Sequence, residues 1–143
     1  MFNISFVDEP ILRNDELVAL GRIEGPSLRE NFWAPVEYWG KNQYEMQWRD
    51  AIQTALAGRP SAIITAMRDP RYARFINWWP IYPVKDHFRL QNQMLLLESI
   101  GSHFNEQDLY VNVPPYTNLN SDGELLSEWE ISKPLILDFL NSL

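Results

Sequence analysis

The sequence predicts an α+β domain: a largely antiparallel, curved sheet, one central amphipathic helix and a C-terminal helix. Three observations predict it. Between Pro60 and Glu98, three runs rich in β-branched, aromatic and aliphatic residues (60–67, 72–82 and 88–98) are separated by breaks carrying Asp69-Pro70 and Lys85-Asp86, the pattern of strands joined by hairpins. Before them, one apolar stripe of helical period runs from Tyr44 to Ala55. Strands precede this helix and follow it without regular strand–helix alternation, which favours antiparallel pairing over crossover units.

Taken in order, residues 2–7 alternate as a short strand that Asp8-Glu9-Pro10 ends. Leu17–Ile23 is a second strand, closed by Glu24-Gly25-Pro26-Ser27, and 31–34 a third before Pro35. Asn42, with Glu45 three residues on, reads as the capping box of the central helix. Tyr44, Trp48, Ile52 and Ala55, flanked by Ala51 and Leu56, form its buried stripe. Gly58 and Pro60 end it. In the run 72–82, Phe75, Asn77, Trp79 and Ile81 point one way and Ile76, Trp78 and Tyr82 the other, so this strand lies inside the sheet, covered on both faces. Pro80 cannot donate to a ladder and predicts a bulge or an edge there. Ser102 or Asn105 starts a short helical turn, and 111–123 is a Pro/Asn/Gly-rich loop of the kind that often binds. Leu125–Ile131 is a last strand. Ser132 caps a final helix with Pro134 in its first turn and Leu135, Leu137, Phe139, Leu140 and Leu143 on its apolar side.

The 143 residues form one domain, 1–143, with 45% hydrophobic content and six Trp, six Tyr and seven Phe, more aromatic surface than a core alone requires. No cysteine is present, which excludes disulfides and thiol chemistry and fits a reducing compartment. No run approaches a membrane span, and the N-terminus has no signal-peptide character, so the expected location is the cytoplasm. His87 and His103 are too few for a metal or triad constellation, and neither a nucleophile elbow nor a phosphate loop occurs. Glu128 and Glu130 share a strand face without a partner that would match a catalytic pKa. The expectation is a protein without enzymatic activity, metal or cofactor.

Charge is distributed unevenly. Residues 1–40 carry seven acids and three bases, 41–89 four acids and eight bases, and 90–143 eight acids and one base. One sign over the last third favours a basic partner and disfavours a phosphate backbone. The candidate binding surface is therefore Glu106 to Glu128: Glu106, Asp108, Asp122, Glu124 and Glu128 as charges, Tyr110 and Tyr116 as anchors. Asp8, Glu9, Asp15 and Glu16 form a rival patch. The bland reading of Asp122-Gly123 is a turn, and of Trp129 a core residue.

Several stretches together resemble a known family: Glu37-Tyr-Trp-Gly-Lys-Asn-Gln-Tyr-Glu-Met-Gln-Trp48, Ser61–Met67 with Asp69-Pro70, Phe75–Trp78, Leu90–Met94, Asp122-Gly123 with Ser127–Trp129, and Leu137–Leu143. They resemble the immunity proteins of contact-dependent growth inhibition (CDI) systems, the CdiI family, over roughly residues 35–143; the N-terminal third matches poorly. The resemblance implies a Whirly-like fold and a branch whose CdiA C-terminal toxin cleaves ribosomal RNA. It implies that the chain occludes the toxin's active site or substrate surface; the uneven charge and the lack of a second long apolar stripe add the expectation of a free monomer that binds this cognate toxin one-to-one, with no direct contact to nucleic acid or membrane. The lysine-glycine-lysine motif of Whirly proteins is absent. An alternative is a Whirly-type single-strand-binding module using Arg68, Arg71, Arg74 and Arg89 beside a Trp78-Trp79 stacking surface.

Overall fold

The computed structural model describes residues 1–101 and 104–143. Its first sheet is laid along β3 (Glu16–Gly25). One side of β3 pairs with β1 (Asn3–Phe6) and β2 (Ile11–Arg13) and the other with β4 (Leu28–Pro35), all antiparallel. Asn14 and Asp15, at φ 51° and 62°, make the two-residue turn between β2 and β3. Pro26 followed by Ser27 at φ 60° turns β3 into β4. The strand β2 was not expected: its three residues are all exposed, so nothing alternates. Within the sheet the Phe32 ring lies over its cross-strand partner Gly21, where a Cβ would meet ring carbons at 2.2 Å.

Helix α1 (Lys41–Leu56) begins one residue before the expected cap. Gly40 is the N-cap, and the Gln43 side chain accepts its N–H at 2.8 Å. Asn42 and Glu45 lie exposed in the first turns instead. The C-terminus is as expected: Gly58 sits at φ 88°, its N–H bonds Ala55 O, and Arg59 N–H bonds Thr54 O. That pair of bonds is a Schellman motif. The inward stripe is Tyr44, Trp48, Ala51, Ile52 and Ala55, with Gln47 buried among them.

The second sheet has the order β5 (Ser61–Ala66), β6 (Phe75–Val84), β7 (His87–Gln91), β9 (Glu128–Ser132), with β8 (Gln93–Leu96) paired to the first half of β6. The strand β6 is interior and buried from Trp78 to Tyr82, as its two apolar faces require. The run 88–98 is two strands rather than one. Pairs Ile81–Leu90 and Trp78–Gln93 lie on one register, which sets Gln91 opposite Pro80 and the interrupting Asn92 opposite Trp79. Pro80 thus sits inside the sheet rather than at an edge, one residue along from the position opposite this break. The bulge of this sheet lies elsewhere, between Ile64 and Ala66. Lys85, at φ 55°, turns β6 into β7.

The last strand starts at Glu128 rather than Leu125, which is exposed and only bridges to Leu119. Helix α2 (Lys133–Asn141) has Ser132 at its N-cap and Pro134 in the first turn, but the serine side chain makes no capping bond; Lys133 N–H bonds Asp86 O instead. Its buried side is Ile136 and Phe139, whereas Leu137 and Leu143 are exposed. One contiguous core runs from Phe2 through α1 and both sheets to Phe139.

Helix α1 closes the open edge of β5. Gln47 Nε2 donates to Ala62 O at 2.7 Å and its Oε1 accepts from Ile64 N at 2.8 Å, as a neighbouring strand would. Trp48 Nε1 donates to Ile64 O at 2.7 Å. The Tyr44 hydroxyl accepts from Met67 N at 2.9 Å and donates to Pro35 O at 2.6 Å, so one oxygen joins β4 to the end of β5. Covering an edge in this way satisfies backbone groups that would otherwise be buried unpaired.

Candidate functional site

The acidic segment is irregular because its sequence supplies caps and prolines rather than a period. Asn105 accepts from Gln107 N at 2.9 Å and opens a run of 3-10 turns over Glu106–Asn112, broken at Asp108, whose backbone is non-helical at φ −140° and ψ 57°. Of the two expected starters, Asn105 is used; Ser102, like His103, lies outside the described residues. Further on, Asn120 Oδ1 accepts from Asp122 N and Glu124 N, both at 2.9 Å, and Gly123 sits at φ 80°. The Asp122-Gly123 turn is there.

The seven expected binding residues fall into three places. Glu106, Asp108 and Tyr110 stand against α1. Glu106 accepts from the Tyr38 hydroxyl at 2.7 Å and from Trp39 Nε1 at 2.8 Å, tying the segment to the loop before α1. The Tyr110 hydroxyl donates to Asp50 at 2.7 Å and accepts from Gln47. It is half-buried and anchored inward rather than presented. Burial, and then its bond to the Asp50 carboxylate, push its phenol well above the usual tyrosine range. Tyr116 and Glu128 stand over β7. Tyr116 packs edge-on against Tyr82 at 5.2 Å and accepts from Arg89 at 2.6 Å, while Glu128 accepts from the buried Gln91 at 2.9 Å. Asp122 and Glu124 are exposed at the loop tip, and among the described residues neither side chain makes a hydrogen bond or ion pair. No described hydrogen bond joins these three places.

Between α1 and the 106–110 turns lies an open groove of about 530 Å³. Asp50, Glu106 and Asp108 line it with Trp39, Met46 and Leu109, and among the described residues no Lys or Arg does. Tyr38, beside Glu106, has its phenol pushed up to about 12 by the hydrogen bond to that carboxylate, with burial second. On the other side of Tyr38 a second groove of about 400 Å³ runs between the ends of β4 and β5, walled by Glu37, Met67 and Tyr72. Met46 is 72% exposed and Tyr72 80%. The sequence reading missed these grooves. The available signal was Glu37-Tyr38-Trp39, a polar–aromatic run just before a helix.

The arginine cluster is largely neutralised. Arg68 makes a two-point contact with Glu16 (2.8 and 3.0 Å), Arg71 pairs with Asp69 at 2.7 Å, and Arg89 holds Tyr116 with Glu130 at 3.6 Å. Trp78 and Trp79 are buried at 1% and 3% exposure, and Trp79 packs on the partly buried Trp129. The expected stacking surface is therefore core. The rival N-terminal patch is also changed, because Glu16 is occupied by Arg68, whose hydrogen bond holds its carboxyl below the usual range. Among the described residues, no helix is long and apolar enough to cross a membrane.

An antiparallel α+β scaffold that presents acidic, aromatic-walled grooves rather than a cluster of reactive groups defines a class of binding domain. The chain belongs to the CdiI family: the CdiI N-terminal domain matches residues 34–139. The immunity protein CdiI of Enterobacter cloacae subsp. cloacae is 28% identical over 144 residues, covering 100% of this chain and 99% of that protein. A chain of the solved CdiA-CT/CdiI toxin and immunity complex from Enterobacter cloacae aligns with a TM-score of 0.90 at 26% identity, over 99% of this chain and 97% of that one. The likeness thus includes the N-terminal third, which the motifs alone left out.

Proposed function

We propose that this chain is an immunity protein that binds the cognate CdiA C-terminal toxin one-to-one and neutralises it by covering its active site or substrate surface. The observation that carries this reading is the full-length likeness to a chain of a toxin and immunity complex. The toxin is read as a nuclease that cleaves ribosomal RNA. Such a domain must bind polyanionic substrate and is basic, and a chain with a net charge of −7 meets it by electrostatic steering. The protein acts in the cytoplasm, is monomeric when free, and needs no chemistry, cofactor or metal of its own. The Whirly-like reading of its fold rests on two antiparallel sheets with two helices. The paired arginines and buried tryptophans argue against extending that likeness to single-strand binding.

The test is co-expression with the cognate CdiA C-terminal toxin domain. The expected result is restored growth and a one-to-one complex by light scattering. Growth arrest despite soluble expression of this chain overturns the reading.

A further inference from the structure

Tyr38 and Tyr72 wall one groove, Met46 and Asp108 the other, and the Glu106 bridge to Tyr38 and Trp39 separates the two. Resting on the immunity reading above, we propose that the toxin docks across this pair of grooves, with Tyr38, Met46 and Tyr72 as apolar anchors and a toxin lysine or arginine seated beside Asp108, and not on the tip of the 113–126 loop.

Three observations carry this. First, large apolar side chains are costly to leave in water and are the usual centres of interfaces. Met46 and Tyr72 are the most exposed of the groove walls, at 72% and 80%, and Tyr38 is 39% exposed. The loop tip offers Leu125 at 77%, but the carboxylates beside it, Asp122 and Glu124, stand in no groove lining described. Second, charge is complementary to a basic partner where the grooves are. Asp50, Glu106 and Asp108 line the first with no cation among its described lining residues, and the two arginines bordering the second are already engaged by Glu16 and Asp69. Asp50 and Glu106 are held by neutral donors, which fixes their position without cancelling their charge. Asp108 makes no described side-chain bond, so it is the carboxylate free to receive a cation. Third, the ridge between the two grooves is held against the core. Trp39 and Tyr44 pack edge-on at 5.3 Å beneath the bridge, and Met67 is fully buried. A pre-set surface loses less entropy on binding than a loop tip does.

The experiment measures binding kinetics to the cognate CdiA C-terminal toxin domain, catalytically inactivated, for three variants: Met46→Ala/Tyr72→Ala, Asp108→Arg, and Asp122→Arg/Glu124→Arg. All sites are exposed, and unchanged thermal melting confirms folding. The expected result is affinity weakened about 30-fold or more for the apolar pair, which is the scale of a hot spot. Asp108→Arg is expected to slow association about 10-fold at low salt, with the loss shrinking as salt rises. The loop-tip pair is expected to stay within about threefold of wild type. Groove variants that bind like wild type, or a loop-tip pair that weakens binding as much as they do, overturn this surface while wild-type binding keeps the immunity reading. No complex with the wild-type chain overturns that reading, and this surface with it.

Discussion

The seam between α1 and β5 and the acidic segment from 104 to 128 are both rich in polar contacts, yet they use them oppositely. In the seam, Tyr44, Gln47 and Trp48 donate and accept in the interior, and their partners are backbone groups of the β4–β5 region, apart from the Tyr110 hydroxyl that also accepts from Gln47. In the segment, Glu106, Tyr116 and Glu128 tie side chain to side chain at the surface, and other carboxylates are left to solvent. Buried polar bonds mainly protect against the cost of an unpaired group, whereas exposed charges contribute little to stability and stay available to a partner. The seam should therefore respond to mutation in stability and the segment in association.

The largest effect belongs to the seam. Trp48→Ala removes a ring that packs on Phe6 at 5.0 Å and on Phe32 at 5.9 Å. It should destabilise the fold by about 3–5 kcal/mol in denaturant titration. An unaltered midpoint with lost toxin binding would place this residue in the interface instead. Gln47→Leu keeps the volume but strands Ala62 O and Ile64 N. The expected loss is about 2–4 kcal/mol in total, from the cost of unpaired buried groups, with faster exchange of the Ile64 amide by NMR.

On the segment side, Glu106→Ala removes the acceptor of Tyr38 and Trp39 and should cost only about 1 kcal/mol. Hydrogen exchange should show residues 106–112 loosened while α1 stays protected. A smaller effect still comes from charge alone. Reversal of Asp108 and Asp122 together should slow association and flatten its salt dependence while melting is unchanged. The matching N-terminal control is Asp8→Lys with Asp15→Asn, because Glu16 holds Arg68 and Asp15 sits at φ 62°. If only that control slows association, the binding face is at the other end of the molecule.

The smallest effect is a pH dependence. The Glu16 carboxyl is lowered by its hydrogen bond to Arg68. A lowered carboxylate contributes stability that is full above its unfolded value and is lost as pH falls through the folded one. The pair is partly exposed, so the contribution is below about 1 kcal/mol after solvent screening. Melting of wild type and Arg68→Gln should differ near neutrality and converge in acid.

Much of the fold was legible because it is written in periodicity. The α1 stripe, the Gly58 stop and the two-sided strand β6 all follow from side chains that local rules place. Gln47 was not legible, because a glutamine inside an apolar stripe looks like a solvent-facing residue until the β5 edge beside it is known. The helix start was misplaced for a related reason: Asn42 is the better capping residue by type, but Gln43 reaches back to Gly40. The acidity of the last third was plain in composition. The grooves were not, since they depend on pairings such as Tyr38 with Glu106, 68 residues apart. The functional reading came from sequence motifs that the family match then supported, while the binding surface depends on side-chain geometry.

Pro80 has a consequence for how the second sheet finds its alignment. Ala62 and Ile64 turn their backbone groups to α1, so the opposed Pro80 and Trp78 face β7 and β8 across the strand. A proline there offers no N–H, so Gln91, which faces it on the shared register, receives no backbone donor from it, and the ladder breaks at the next residue, Asn92. If the 87–96 chain slid along β6 by two residues, a carbonyl that takes a donor in the native ladder would face the proline instead. A missing hydrogen atom thus acts as an alignment mark. It distinguishes the native pairing from shifted ones and penalises the mispaired hairpins from which aggregation starts.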